Sequence, residues 1–375
     1  MWSYRNPVDV RFGRGSFSRL GDAIGGRSYA LVTYGDAYFQ GLAADLEARA
    51  GKPVLTIDDI APNPDIVLLE AQTTRFAALK TRPAVVVALG GGSVIDSAKV
   101  FAAARGNFSA VEAYLKKRVG AETIKPWPLI AVPTTAGTGS EVTCWGTVWD
   151  NAGGVKFSLA HSGLYPEASI VDPDLMIDKP RDLTIQTGLD ALSHSLESLW
   201  NRNANPVSMA HAITAARGVL STLPLLADDL RNADLRERMA RAATLAGFAF
   251  SNTKTAIAHS LSYPITLRHG VSHGVACSFS LPMIIRSVAD EGGICAEGLG
   301  AIFGSEAKDA ADQLSAFLNK LGIATDHRHY GIDDAEWREL IDLAFDGERG
   351  QNFIGTRENL LAVAGFDERV RMAVA

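Results

Sequence analysis

Residues 84–104 read AVVVALGGGSVIDSAKVFAAA. The first six are a continuous apolar, largely β-branched run, the kind that forms a parallel strand buried on both faces. Three glycines and a serine follow (Gly90, Gly91, Gly92, Ser93), and helical spacing begins at 94. Glycines let backbone amides approach a ligand closely, and a helix start adds partial positive charge. Strand, Gly-rich turn and helix together therefore predict a pyrophosphate cradle. The spacing departs from G-x-G-x-x-G, and a tight strand-to-helix turn without a ligand would use the same residues. Asp96, early in that helix, also suits an acid satisfying the helix dipole.

Outward from this stretch, strands and helices alternate. SYALVT (28–33) reads as a strand ending at Tyr34-Gly35-Asp36, with helical spacing over 37–49. Residues 52–57 form a short strand closed by the turn Pro62-Asn63-Pro64, and 66–80 are helical. PLIAV (128–132) supplies another buried strand, and 4–13 a short strand leading into a Gly-rich turn. Alternation over the first ~140 residues predicts a doubly wound α/β domain with a mainly parallel sheet. From about 182 helical periodicity dominates, over 187–199, 207–226, 234–250, 307–321 and 334–343. The Pro- and Asp-rich segment DPDLMIDKPR (172–181) marks the expected boundary. The expected domains are 1–180, α/β, and 181–375, all-helical and metal- and substrate-binding.

At 375 residues the chain has room for two cores. A net charge of −6 argues against a nucleic-acid surface, which would be basic. Cys144, Cys277 and Cys295 are too few and too scattered for a disulfide framework, which points to a reducing compartment. No apolar core marks a secretory start, and no run reaches the roughly 18 to 20 apolar residues of a membrane span. The expectation is a cytoplasmic protein without nucleic-acid or membrane partners.

Asp190 and His194 stand four apart in a helical segment, so they project from one face. His259 and His273 lie in a second apolar segment and meet them only through folding. One carboxylate and three imidazoles make a divalent-metal set with room for a substrate oxygen. PTTAGTGSEVT (133–143) follows a buried strand and offers hydroxyls at Thr134, Thr135, Thr138, Ser140 and Thr143. Such a loop suits a ribose, a carboxamide or a phosphate, and equally a Ser/Thr-capped turn.

GGGSVIDSAK (90–99), PTTAGTGSEVT, Asp190-x3-His194, His259 and His273-Gly274 together resemble the iron-containing (group III) alcohol dehydrogenase family. The four blocks fall in the family's order, from Asn6-Pro7 to about Pro282. The resemblance implies a dehydroquinate synthase-like architecture, NAD(P)H bound by the α/β domain, and one divalent ion, Fe(II) or Zn(II). It implies Asp190, His194, His259 and His273 as the ligands, with the GGGS loop on the pyrophosphate. It places Thr134, Thr135 and Thr138 along the cofactor, Asp96 at its nicotinamide end, Lys156 on a ribose, and Gly35 and Ser140 in the same site. Family members are often homo-oligomers, and the same is expected here.

Two positions depart from the family pattern. Tyr263 stands where many members carry a second histidine four residues after the third ligand. A phenol does not relay protons near neutral pH as an imidazole does, so the proton is expected from water or a hydroxyl chain with Tyr263 a candidate member. Tyr34 stands where NAD-preferring members carry an aspartate, which leans the expectation towards NADP(H), while Asp36 acts the other way. The segment HSLSYPITLRHGVSHGVACSFSLP (259–282), with ERGQNF (348–353), resembles the phosphonoacetaldehyde reductase branch. An anionic substrate would call on Lys254, Arg268, His269 or Arg349, which read otherwise as surface groups. His269-Gly270 duplicates the His-Gly pair at 273, and the family spacing selects His273. The alternatives are a 4-hydroxybutyrate-type or maleylacetate reductase-type dehydrogenase, and a dehydroquinate synthase-type, NAD-using lyase.

Overall fold

Six parallel strands organise the first part of the chain. They are β1 Asp9–Phe12, β2 Tyr29–Val32, β3 Leu55–Ile57, β4 Val85–Gly90, β5 Leu129–Pro133 and, beyond a hairpin, β8 Ala168–Val171. The hairpin is β6 Trp145–Asp150 paired antiparallel with β7 Val155–Ala160. The structure is a computed structural model describing residues 1–304 and 307–366, the side chains at 307 and 308 excepted; residues 367–375 of the expected helical domain lie outside the described residues. The chain separates into two compact units, Asn6–Asp178 and Lys179–Ala375 together with Met1–Arg5.

In the first unit the sheet order is β1-β8-β5-β4-β2-β3. Every residue of β4 is buried, as its continuous apolar run predicts. Val85, Val87 and Leu89 join Phe39 and Leu46 of the helix Ala37–Ala50 on one face. Val86 and Ala88 join Phe76 of the helix Ile66–Ala77 and Val94 and Phe101 of the helix Gly92–Ala104 on the other. The sheet is thus covered on both faces, and the two-residue period of a strand divides its side chains between two apolar layers.

From β2 the chain steps outward to β3 and then returns to pair β4 on the opposite side of β2. That reversal between β2 and β4 is the switch point where open parallel sheets bind ligands. Gly35 follows the first of these strands, and Gly90 ends the second with Gly91 behind it. Register pairs Gly90 with Pro133, which brings the Gly-rich turn beside the Thr-rich loop.

In the second unit the helix Arg181–Glu197 is buried all round from Gly188 to Glu197. The helices Pro206–Asp228 and Ala233–Thr253 pack on it and on each other. Asn205 caps the first of these in a reciprocal capping box, with Pro206 opening the helix. Two shorter helices, Ile257–His269 and His273–Ser278, pack on Arg181–Glu197. Ser193 Oγ donates to Cys277 O at 3.1 Å and Ser278 Oγ to Leu189 O at 3.0 Å, tying the last helix down. Among the described residues no helix is long and apolar enough to cross a membrane.

Three strands, β6, β7 and β8, were not foreseen. β8 is only four residues, ASIV, and its pairing with β1 and β5 comes from distant parts of the chain.

Candidate metal centre and cofactor loops

Within the helical unit, Asp190 and His194 lie one turn apart on Arg181–Glu197, as do His259 and Tyr263 on Ile257–His269. His273 opens the next helix, with Cys277 one turn on. These pairs converge. Asp190 Oδ1 lies 3.5 Å from His259 Nε2, 3.7 Å from His194 Nε2 and 3.9 Å from His273 Nε2. Asp190 Oδ1 and His259 Nε2 are buried yet accept or donate no hydrogen bond. Atoms ~2.1 Å from one ion at tetrahedral angles stand ~3.4 Å apart, so this spacing suits a shared divalent ion better than direct hydrogen bonding. The donor chemistry, one carboxylate and neutral imidazoles, fits iron or zinc.

The surroundings aim each ligand. Glu197 Oε2 sits 2.5 Å from His259 Nδ1, and Glu197 Oε1 accepts from the His259 amide at 3.1 Å. With Nδ1 on a carboxylate, Nε2 is turned towards Asp190. The His194 ring stacks on Phe250, centroids 3.9 Å apart and ring planes nearly parallel. Burial alone would raise the Asp190 carboxyl, but His194, His273 and His259 outweigh it and hold it well below the usual carboxylate range. Glu197 is pushed up by burial and pulled down further by His259 and two backbone amides.

Sequence reasoning missed Glu197 and Cys277. The 0, 4, 7 spacing of Asp190, His194 and Glu197 was a readable signal, since those offsets share one helix face. Cys277, one turn after His273, repeats the Asp190–His194 spacing. Asp190, His259, His273 and Cys277 present ligand atoms all within 4.8 Å of one another, a set that takes Cys277 and leaves out His194.

Four residues were expected near the substrate, and they divide. Arg268 Nη1 is 3.4 Å from Glu336 and 3.9 Å from Glu339, while His269 Nε2 is 3.0 Å from Glu336. Lys254 Nζ is 2.9 Å from Glu348. Arg349 instead lies over the Tyr263 ring, 4.7 Å from its centroid, and pairs with no carboxylate among the described residues. The Tyr263 ring in turn stacks on His273 at 5.8 Å. Only Arg349 is linked in this way to a residue of the ligand cluster.

In the α/β unit the predicted cofactor residues of the Gly-rich and Thr-rich loops gather around the ends of β4 and β5, while Gly35 follows β2 and Lys156 lies on β7. A Cβ on Gly92 would stand 2.6 Å from Thr138 Cγ2, and one on Gly91 3.3 Å from Thr135 Oγ1. The glycines therefore let the two loops nest, and none of them takes a positive φ. Thr134 Oγ1 is buried without a hydrogen-bond partner, and Ser93 Oγ accepts from Asn63 N at 3.3 Å. Asp96 accepts from Ser140 Oγ at 2.6 Å and from Thr147 N at 2.9 Å, so its carboxylate braces the Thr-rich loop against the helix. Lys99, fully buried, donates to Ser140 O, Ser140 Oγ, Thr143 Oγ1 and Trp145 O, and burial lowers it to about 8. Lys156 lies on β7 with Nζ 4.9 Å over the Trp149 ring. Asp36 Oδ1 caps the helix Ala37–Ala50, accepting from Tyr38 N and Phe39 N, and Gly35 sits against Asp58 O.

A family model described as iron-containing alcohol dehydrogenase matches residues 7–173. A second, for the C-terminal part of the Fe-containing alcohol dehydrogenase family, matches 184–363. The NAD-dependent methanol dehydrogenase of Bacillus methanolicus is 30% identical over 355 residues, 91% of this chain and 92% of that one. The 1,3-propanediol dehydrogenase of Klebsiella pneumoniae is 32% identical over 372 residues, 94% and 95% of the two chains. Among solved structures, sulfoacetaldehyde reductase from Bifidobacterium kashiwanohense in complex with NAD+ superposes with a TM-score of 0.87 at 29% identity, covering 98% of each chain.

Proposed function

The chain belongs to the iron-containing alcohol dehydrogenase family, and we propose that within it this protein reduces a small aldehyde bearing a tetrahedral anionic group, such as phosphonoacetaldehyde or sulfoacetaldehyde. The observation carrying this reading is Arg349, a guanidinium without a carboxylate partner among the described residues, laid over Tyr263 beside His273. Its planar fork suits two oxygens of a phosphonate or sulfonate. The likeness to a sulfoacetaldehyde reductase supports the same substrate class. Both family models name alcohol dehydrogenases, which favours hydride transfer over lyase chemistry.

Asp190, His194, His259 and His273 would hold a divalent ion, which when bound supplies Lewis acidity towards the aldehyde oxygen. A nicotinamide cofactor, held by the Gly-rich and Thr-rich loops of the α/β unit, would supply the hydride. The chain's own residues do the rest. Asp190 offsets part of the ion's charge, and Glu197 keeps the His259 imidazole turned inward. Arg349 orients the substrate's anionic end, and Tyr263 Oη passes a proton to the alcohol oxygen and recovers one from solvent. Tyr34 offers no carboxylate to a ribose, and Asp36 Oδ1 is occupied as a helix cap, which supports a preference for NADPH.

The test is a panel of phosphonoacetaldehyde, sulfoacetaldehyde, succinic semialdehyde and propionaldehyde, followed by loss of reduced-nicotinamide absorbance. The two tetrahedral anions should give the highest kcat/KM. Arg349→Met should lower it for them roughly 10- to 100-fold more than for propionaldehyde. A wild-type preference for propionaldehyde, or a variant that keeps its preference for the anions, would overturn the reading.

A further inference from the structure

The helix His273–Ser278 carries two side chains towards the ligand cluster, not one. Cys277 is fully buried, and its Sγ lies 3.7 Å from both ring nitrogens of His273. Together with Asp190 and His259 these residues bring an oxygen, two nitrogens and a sulfur within 4.8 Å of one another. Two of those atoms, Asp190 Oδ1 and His259 Nε2, are buried and without hydrogen-bond partners, so the cluster is not closed by its own polar contacts. Residues four apart on a helix can ligate one ion together. The anchoring of Cys277 O by Ser193 Oγ holds this helix against the one that carries Asp190 and His194.

We propose that Cys277 is a further ligand of the metal ion, adding sulfur to the oxygen and nitrogen donors. The inference rests on reading Asp190, His194, His259 and His273 as the ion's holders. On ligation the thiol releases its proton to solvent and the thiolate sulfur bonds the ion. A thiolate is a soft donor, so its presence biases the site towards zinc, cobalt or iron and against magnesium or calcium. The neighbouring cysteines give internal controls: Cys144 lies in the other unit, and Cys295 lies on the separate helix Gly293–Phe303.

The metal-free full-length protein, loaded with Co(II), reports on this directly. The wild type should show visible d–d bands together with a near-ultraviolet sulfur-to-cobalt charge-transfer band. Cys277→Ser should lose the near-ultraviolet band and keep the visible ones, while Cys144→Ser and Cys295→Ser keep both. In competition with a chromophoric chelator, Cys277→Ser should bind Zn(II) about tenfold or more weakly than wild type. Visible bands without charge transfer in the wild type would sink the Cys277 assignment and leave the other four ligands standing. A charge-transfer band that survives in Cys277→Ser has the same consequence, as does unchanged Zn(II) affinity. Absence of any cobalt spectrum would overturn both assignments, and the wild-type spectrum needs no variant to fold.

Discussion

Glu197 Oε2 and His259 Nδ1 stand 2.5 Å apart in a fully buried pocket, and the same carboxylate also accepts from the His259 backbone amide. The pair fixes which imidazole nitrogen faces Asp190. A glutamine keeps the size but removes the charge-assisted contact and can point its NH2 at Nδ1. Glu197→Gln should therefore weaken Zn(II) binding roughly 10- to 100-fold. Calorimetric titration of metal-free protein checks it; equal affinity would show that His259 needs no such support.

His273 and His269 both precede a glycine, and the structure separates them: one faces Asp190, the other Glu336. Binding to the folded state raises the melting temperature. Added Zn(II) should raise the Tm of wild type and of His269→Ala, and leave His273→Ala unmoved. A shift in His273→Ala equal to wild type would remove His273 from the ligand set.

Gly274 lies where two helices almost touch. A Cβ there would stand 1.9 Å from Gln186 O, a backbone atom that cannot swing aside. Gly274→Ala should destabilise the protein by about 1–3 kcal/mol or more and disturb the adjacent ligand His273. Denaturant titration and metal content measure the two effects, and a variant unchanged in both would contradict the observed packing.

Glu141, buried in the Thr-rich loop, has its carboxyl pushed up to about 7 by desolvation. The folded state keeps this proton at pH values where the unfolded chain has already released it. Folding then takes up a proton, and the contribution to stability falls as pH rises from the ordinary glutamate value to about 7. Relative to Glu141→Gln, wild type should lose on the order of 3 kcal/mol across that window. Urea unfolding at several pH values tests it; parallel curves for the two proteins would contradict it.

Cofactor choice has its own test. NADPH should support kcat/KM at least equal to NADH, and Tyr34→Asp should move the ratio towards NADH by restoring an acceptor for a ribose hydroxyl. A wild-type preference for NADH of about tenfold or more would reverse this reading.

Much of the α/β unit was legible in advance. The run at 84–89 is apolar at every position, so a strand buried on both faces was the consistent reading, and β4 is that strand. In the hairpin β6–β7 the run VKFSL of β7 does alternate apolar and polar residues, a signal that was there to read, whereas WGTVWD of β6 shows no such two-residue period. At the ligand cluster, Asp190 and His194 were readable as a helical pair, whereas Glu197, seven residues after Asp190, was not joined to them. Of the cations, nothing in LRHG or ERG distinguishes Arg268 from Arg349. Their different surroundings, Glu336 and Glu339 for one and the Tyr263 ring for the other, come from helices far apart in the chain.

By itself the sequence determined five of the six strands of the parallel sheet, the helical second half, the Gly-rich turn after β4 and the Asp and His residues of the ligand cluster. Those follow from local rules: the period of apolar side chains, the conformational freedom of glycine and the donor chemistry of histidine and aspartate. Tertiary structure alone decided which donors converge, that Glu197 orients His259, that Cys277 stands within reach of the same centre, and that Arg349 is the cation left beside Tyr263. The reason is geometric. Convergence within a few ångströms depends on how close two helices pass, and that is set by contacts such as Gly274 against Gln186, between residues distant in the chain.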